Sequence, residues 1–253
     1  MQGLDWQLRG KTAIVTGASS GSGAVIAQTL ARCGANLVLT GRNAAGLAAT
    51  AAAITQEGGR AAIVIADLGE WGSGAAIVQG ARGAFGSIDH VVSNAALFLP
   101  GTLETATAER LDTMFRVNVA GPLALVQAAA PHLSAGSAVV IVSSTTAQVG
   151  FAGYSEYTAS KGAQEAMARA LAMELAPRGI RVNTLSPGFV RTPMLQPALD
   201  ANPGLEGWLV EKTPIGRIGE PEDVAAAVAF LLSPLSANVV GTTLVSDGGW
   251  IAL

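Results

Sequence analysis

Tyr157 and Lys161 stand four residues apart in the run Tyr154-Ser155-Glu156-Tyr157-Thr158-Ala159-Ser160-Lys161. On a helix that spacing puts a phenol and an ammonium on one face. A tyrosine ordinarily titrates near pKa ~10, and a positive charge beside it favours the phenolate, so the pair has the makings of a proton donor and acceptor. The same spacing also arises on surface helices that carry a solvated lysine beside a half-buried ring, so the surrounding sequence must decide. Ser144 closes the apolar run Ser137-Ala138-Val139-Val140-Ile141-Val142-Ser143-Ser144, which reads as a buried strand with hydroxyls at its carboxyl end. Ligands of open α/β sheets bind at such ends.

A second constellation lies near the amino terminus. The apolar run Thr12-Ala13-Ile14-Val15-Thr16 leads into Gly17-Ala18-Ser19-Ser20-Gly21-Ser22-Gly23 and then into the helical pattern Ala24 to Leu30. Glycines in a strand–turn–helix let the backbone approach a pyrophosphate, and the free N–H groups and dipole at the helix start favour its charge. The next strand, Leu37-Val38-Leu39-Thr40, ends at Gly41, where NAD-binding folds place an acid for the ribose 2′-hydroxyl; Arg42 follows instead. An arginine there either forks onto the 2′-phosphate of NADP or is a solvated residue at a strand end. The expected cofactor is NADP, with NAD possible because Ser19 and Ser20 bring no second basic group.

Other candidates for chemistry weaken. His90 and His132 are isolated, the chain has one cysteine, Cys33, and nothing has metal-ligand spacing, so no metal is expected. Tyr154 has Thr158, not a lysine, one turn on. Asn118, inside a helical pattern, would be costly to bury without partners, which favours a functional role.

The elements that must position these groups alternate along the chain. Strand patterns fall at about 12–16, 36–40, 61–65, 88–92, 137–143, 180–185 and 242–246, with Ala/Leu-rich helical stretches between them. This predicts an α/β fold, a doubly wound parallel sheet of about seven strands with helices on both faces, as one domain over residues 1–253. From Pro187 to Pro214, prolines and glycines interrupt the alternation. Hydrophobic residues make up 50% and charged residues 13%, yet no uninterrupted apolar run reaches the ~18 residues of a membrane span. With no basic region or apolar signal core at the start, no internal disulfide and a net charge of −3 without a basic stripe, the expectation is a cytoplasmic protein that binds neither membrane nor nucleic acid.

Taken together, these motifs resemble the short-chain dehydrogenase/reductase family over nearly the whole chain. Thr16 to Gly23 fits its T-G-x-x-x-G-x-G loop, Asp67 its acid after the third strand, Asn94-Ala95-Ala96 its N-N-A-G strand end, and Pro187-Gly188 with Thr192 its P-G-x-x-x-T segment. Asn118, Ser144, Tyr157 and Lys161 match its catalytic tetrad. Ser22, Ser93 and Ala96 depart from the usual isoleucine, asparagine and glycine. The resemblance implies a Rossmann-like fold and reversible hydride transfer between the nicotinamide and a secondary alcohol or ketone. Tyr157 would exchange the proton and Ser144 would hold the substrate oxygen. Lys161 would lower the phenol pKa and bind the ribose, and Asn118 would position a relay water. Asp67 and Leu68 would contact the adenine, although Asp67 also suits a helix N-cap. Asn94 and Ala95 would support the ribose, and Val190 and Thr192 the carboxamide. Thr146, Gln148, Phe151, Tyr154 and Phe189 would line the substrate pocket under a lid at about 188–214. Met194, Leu195 and Trp208 would give that lid an apolar inner face, unless Trp208 merely anchors a surface loop.

Three points extend this reading. A 3-oxoacyl-carrier-protein reductase shares the motifs but needs basic residues to dock an acidic carrier, and there is no Lys or Arg from Val117 to Ser160. A non-catalytic cofactor sensor or structural subunit has no need of the Ser-Tyr-Lys set. Between Val117 and Ser160 the only charged residue is Glu156, so the stretch Val119 to Ala130, the helix after Tyr157 and the end Gly249 to Leu253 are expected to be covered by other subunits. A homotetramer is the family expectation, with Leu125 and Ala166 on its interfaces.

Overall fold

The computed structural model describes residues 6–252. Strand β1 (Thr12–Thr16) reads TAIVT with all five residues buried, as in a strand covered on both faces. It is joined by β2 (Asn36–Gly41), β3 (Arg60–Ile65), β4 (His90–Ser93), β5 (Ala138–Val142), β6 (Arg181–Pro187) and β7 (Thr243–Ser246). The helices are α1 (Gly21–Arg32), α2 (Ala44–Gln56), α3 (Ser73–Phe85), α4 (Ala108–Phe115), α5 (Gly121–Ala129), α6 (Ser155–Leu175), α7 (Gln196–Ala201), α8 (Leu205–Lys212) and α9 (Pro221–Leu232). All seven strands pair in parallel in the order β3-β2-β1-β4-β5-β6-β7. This is the single-domain, doubly wound Rossmann-like fold that the alternation predicts.

Successive strand residues leave the sheet on opposite faces. Ala13, Val15, Leu37, Leu39 and Val140 therefore pack with Ile26 and Leu30 of α1, Leu47 and Ile54 of α2 and Val224 and Val228 of α9. Ile14, Val38, Val91 and Val139 pack on the other face with Ile77 of α3, Leu125 of α5 and Ala168 and Ala172 of α6. The chain runs outward from β1 to β3, then crosses to β4 and runs outward to β7. This topological switch leaves a crevice at the carboxyl ends of β1 and β4.

Two expectations change. Leu125, expected on a subunit interface, instead lies in the core of the chain, where Ala124, Leu125, Val126 and Ala129 are 0–4% exposed. Near the carboxyl end the Trp250 ring lies 4.9 Å from Phe189 and 5.6 Å from Trp208. The outward face of α6 exposes Ala159, Ala166, Ala170 and Met173 together with Arg169 and Glu174. The proline-rich span 188–214 also holds more structure than its composition indicates, carrying α7 and α8. Pro197 sits in the first turn of α7, where a missing N–H costs nothing.

A single π-helical turn, Arg116–Ala120, joins α4 to α5. Pro122, four residues beyond Asn118, has no N–H with which to close an α-helical bond onto the Asn118 carbonyl. That carbonyl is thereby freed from the ordinary helical ladder.

Candidate active site

The crevice is built on Thr16. Its Oγ1 accepts the backbone N–H groups of Asn94 (3.0 Å) and Ala95 (2.9 Å), and its carbonyl accepts Asn94 Nδ2 (3.1 Å). These bonds draw the ends of β1 and β4 together so closely that a Cβ on Gly17 would lie 2.9 Å from the Ala95 Cα; Gly17 also has φ +67°. Only glycine suits both demands. Ser20, at the start of α1, makes no side-chain capping bond, and no acid stands in the first turn. The first N–H groups and the positive dipole end are therefore not neutralised by the protein, which fits the pyrophosphate of a dinucleotide.

One cleft of about 800 Å³ runs along these strand ends. It is lined by Gly17, Ser19, Ser20, Gly21, Ser22, Gly23, Arg42, Asp67, Leu68, Asn94, Ala95, Pro187, Gly188, Val190 and Thr192, and by Ser144, Tyr157 and Lys161. Arg42, after β2, is separated from Ser144, after β5, by three strand spacings, about 14 Å. At its end of the cleft Arg42 Nη1 lies 3.6 Å from Asp67 Oδ2, with the arginine side chain 73% exposed. The Asp67 carboxylate caps its own turn by accepting Gly69 N–H at 2.8 Å. It does not cap α3, whose N-cap is Gly72.

At the other end, α6 presents Tyr157 and Lys161 beside the end of β5. Ser144 Oγ lies within hydrogen-bond distance of Thr146 N (3.3 Å) and Thr146 Oγ1 (3.1 Å). When it accepts from both, its own O–H remains to donate. Lys161 is 1% exposed, and its Nζ donates to Val142 O (2.8 Å) and Gln164 Oε1 (3.1 Å) while lying 5.5 Å from the centre of the Tyr157 ring. Burial lowers Lys161 to about 7, partly opposed by Glu165. Burial drives Tyr157 above its ordinary value, only partly offset by a hydrogen bond with Ser144. Near neutral pH this phenol keeps its proton.

Asn118 is fully buried and does not line the cleft. Its Nδ2 donates to Leu97 O (2.9 Å) and Ser160 Oγ (3.0 Å), its Oδ1 accepts from Leu97 N (2.7 Å), and its carbonyl accepts from Gln164 Nε2. The side chain thus pins the segment after β4, and the backbone carbonyl of Asn118, the residue expected to position a relay water, is engaged by a glutamine.

Among the expected pocket residues, Thr146, Tyr154, Phe189, Met194 and Leu195 line the cleft, whereas Gln148, Phe151 and Trp208 do not. Gln148 donates to Glu165 at 3.2 Å, outside the cleft. Phe151 forms a second layer, stacked on Tyr154 at 4.6 Å and tilted against Phe189 at 5.6 Å. Trp208, 41% exposed, packs on Trp250 rather than inward. Sequence reasoning missed Phe98, whose ring meets both Tyr154 and Tyr157 edge-on at 4.9 Å and lines the cleft. It also missed Arg110. The guanidinium donates to Leu99 O (3.0 Å), Pro100 O (3.2 Å) and Glu156 Oε2 (3.2 Å), tying the loop that carries Phe98 to the residue before Tyr157. No local signal marks either residue, because each acts across elements distant in sequence.

Comparison with known proteins agrees with this architecture. A family model described as enoyl-(acyl carrier protein) reductase matches residues 17–251. The chain is 41% identical over 244 residues to an uncharacterized oxidoreductase of Methylorubrum extorquens, covering 96% of this chain and 98% of the relative. It is 37% identical over 251 residues to a 2,5-dichloro-2,5-cyclohexadiene-1,4-diol dehydrogenase of Sphingobium indicum, covering 97% and 99% of the two chains. A short chain dehydrogenase of Burkholderia cenocepacia J2315, solved in complex with NADP, superposes with a TM-score of 0.89 at 38% identity, covering 96% and 99%. The chain belongs to the short-chain dehydrogenase/reductase family and is an oxidoreductase acting on CH–OH groups. Among the described residues no helix is long and apolar enough to cross a membrane, and no three His, Cys, Asp or Glu side chains are grouped to hold a metal ion.

Proposed function

We propose that this protein interconverts a neutral, ring-bearing secondary alcohol and its ketone with NADP, using Ser144, Tyr157 and Lys161. The observation that carries this reading is their convergence at one end of a cleft whose middle is an uncapped helix start and whose far end holds Arg42. Bound there, NADP supplies or accepts the hydride. Tyr157 gives its hydroxyl proton to the carbonyl oxygen as alkoxide character develops, and in the oxidative direction its phenolate removes that proton. Ser144, with Thr146 on its lone pairs, donates to the same oxygen. Lys161 keeps one of three ammonium N–H groups for the cleft, because Val142 and Gln164 take two; ribose hydroxyls are its intended partner.

Charge supports the substrate class. Arg42, Asp67, Glu70 and Arg116 line the cleft around β2, β3 and the π-turn, while Phe98, Tyr154, Phe189 and Met194 surround the reacting end with Lys161 as its one cation among the described lining residues. Edge-to-face rings present flat apolar walls suited to a cyclic substrate. The family model's description raises a second reading, reduction of a carrier-bound acyl group. The arginines near the mouth are largely committed, Arg110 to Glu156, Arg191 to Glu206 and Glu220, and Arg217 to Asp223, which leaves little free charge to steer an acidic carrier.

Assembly as a homotetramer is part of the proposal, with the exposed Ala159, Ala166, Ala170 and Met173 of α6 as one contact. Screening NADPH and NADH against cyclic ketones, open-chain keto acids and an acyl-carrier thioester tests the substrate class. Turnover confined to charged or carrier-bound substrates would contradict it.

A further inference from the structure

Gln164 lies one turn beyond Lys161 on α6 and is fully buried. Its amide spans two groups whose chemistry leaves it one orientation. The Asn118 carbonyl can only accept, so the NH₂ end must face it; a lysine ammonium can only donate, so Oε1 must face Nζ, here at 3.1 Å. The carbonyl is available because Pro122 cannot bond it, which couples the π-turn to the lysine through one side chain. Val142 O takes a second Nζ proton from the end of β5.

We propose that Gln164 is a positioning residue for the reaction: its amide, braced on the Asn118 carbonyl, holds Lys161 as a donor directed at the cleft. The proposal rests on the role given to Lys161 above. Removing the brace leaves a buried ammonium with one protein acceptor in place of two, and the lysine then sheds its proton more readily. The titratable groups facing Lys161 are Tyr157 and Glu165, both on α6. The π-turn meets this cluster through the Asn118 carbonyl, and β5 meets it through Val142 O and Ser143, whose Oγ donates to Lys161 O at 3.3 Å.

The test compares Gln164→Leu, which removes the acceptor, with Gln164→Glu, which replaces it by a charged one. Two quantities are read against pH: kcat/KM with NADPH, and the melting temperature of the protein without added cofactor. The high-pH limb of kcat/KM should move down by about one pH unit in Gln164→Leu and up by a similar amount in Gln164→Glu, the size of one hydrogen bond to a charged group. The pH at which the melting temperature begins to rise should move in the same two directions, since it marks the lysine's titration in the folded state. A merely structural glutamine would lower the melting temperature at every pH and move neither. If Gln164→Leu does not fold, the upward shift in Gln164→Glu decides alone. Unshifted melting profiles would overturn the proposal. That readout involves no turnover, so its failure is distinguishable from an error in assigning Tyr157 as the acid.

Discussion

Arg110→Met should damage the reacting end of the cleft and the fold together. Arg110 makes hydrogen bonds to two backbone carbonyls and to Glu156, whose side chain is 8% exposed and whose Oε1 is buried with no partner among the described residues. Breaking a buried pair by removing one member costs about 3–5 kcal/mol, because the remaining charge is uncompensated. At about 2–4 °C per kcal/mol for a chain of this size, the melting temperature should fall by roughly 6–20 °C. The loop carrying Phe98 loses its tie to α6, so kcat/KM should fall while NADPH affinity stays within about twofold, since the clamp touches no part of the cofactor cleft's far end. Glu156→Leu alone should cost a similar amount. The double variant Arg110→Met/Glu156→Leu should be more stable than the sum of the single losses implies, with a coupling of about 1–3 kcal/mol. Urea unfolding of the four proteins, with steady-state kinetics on each, measures both consequences. Additive losses, or an Arg110→Met protein within about 1 kcal/mol of the parent, would refute the clamp.

Further outcomes follow from the geometry. Arg42→Ala should weaken NADPH binding by about 1–2 kcal/mol, the low end for a charged hydrogen bond because Arg42 is exposed and shared with Asp67, and the loss should shrink at high salt. Gly41→Asp should shift preference towards NADH, since a Cβ there meets only Leu47 and Ser19 at 3.9 Å; competitive titration of the two cofactors checks both variants. Lys161 falls from 10.5 to about 7 on burial, so between those values the unfolded chain holds more protons and stability rises with pH. The stability difference between the parent and Lys161→Met, without cofactor, should therefore change by roughly 3–4 kcal/mol from pH 7 to 10, and parallel profiles would exclude it. Ala166→Glu should reduce the assembly's mass by light scattering without unfolding the chain, whereas Leu125→Glu should unfold it, because Leu125 lies in the core.

The strands were legible because each is a short β-branched run between turn residues, and every predicted strand lies within two residues of its observed bounds. Local motifs located the groups that line the cleft for the same reason: the Gly17–Gly23 loop and the Tyr157–Lys161 spacing are set within single turns. What stayed hidden depends on contacts across the fold. Phe98, Arg110 and Gln164 carry no motif, and their roles appear only when the loop after β4, the π-turn and α6 are brought together. Leu125 in the apolar run at α5 was misplaced because burial inside one chain and burial between chains leave the same composition. Gln148 and Trp208 misled because the direction in which a side chain outside the strands points is not encoded by spacing.

The central claim is that Tyr157 is the acid of an NADP-dependent oxidoreductase. It is tested most directly by Tyr157→Phe, measured for NADPH oxidation with an accepted ketone and for NADPH binding by fluorescence titration. Only the hydroxyl is removed, and the ring keeps its edge-on contact with Phe98, so binding should remain within about twofold of the parent. Turnover should fall by about 10²–10⁴-fold, the worth of a positioned general acid. A variant retaining more than about a tenth of the parent's rate, less loss than a general acid explains, would contradict the account.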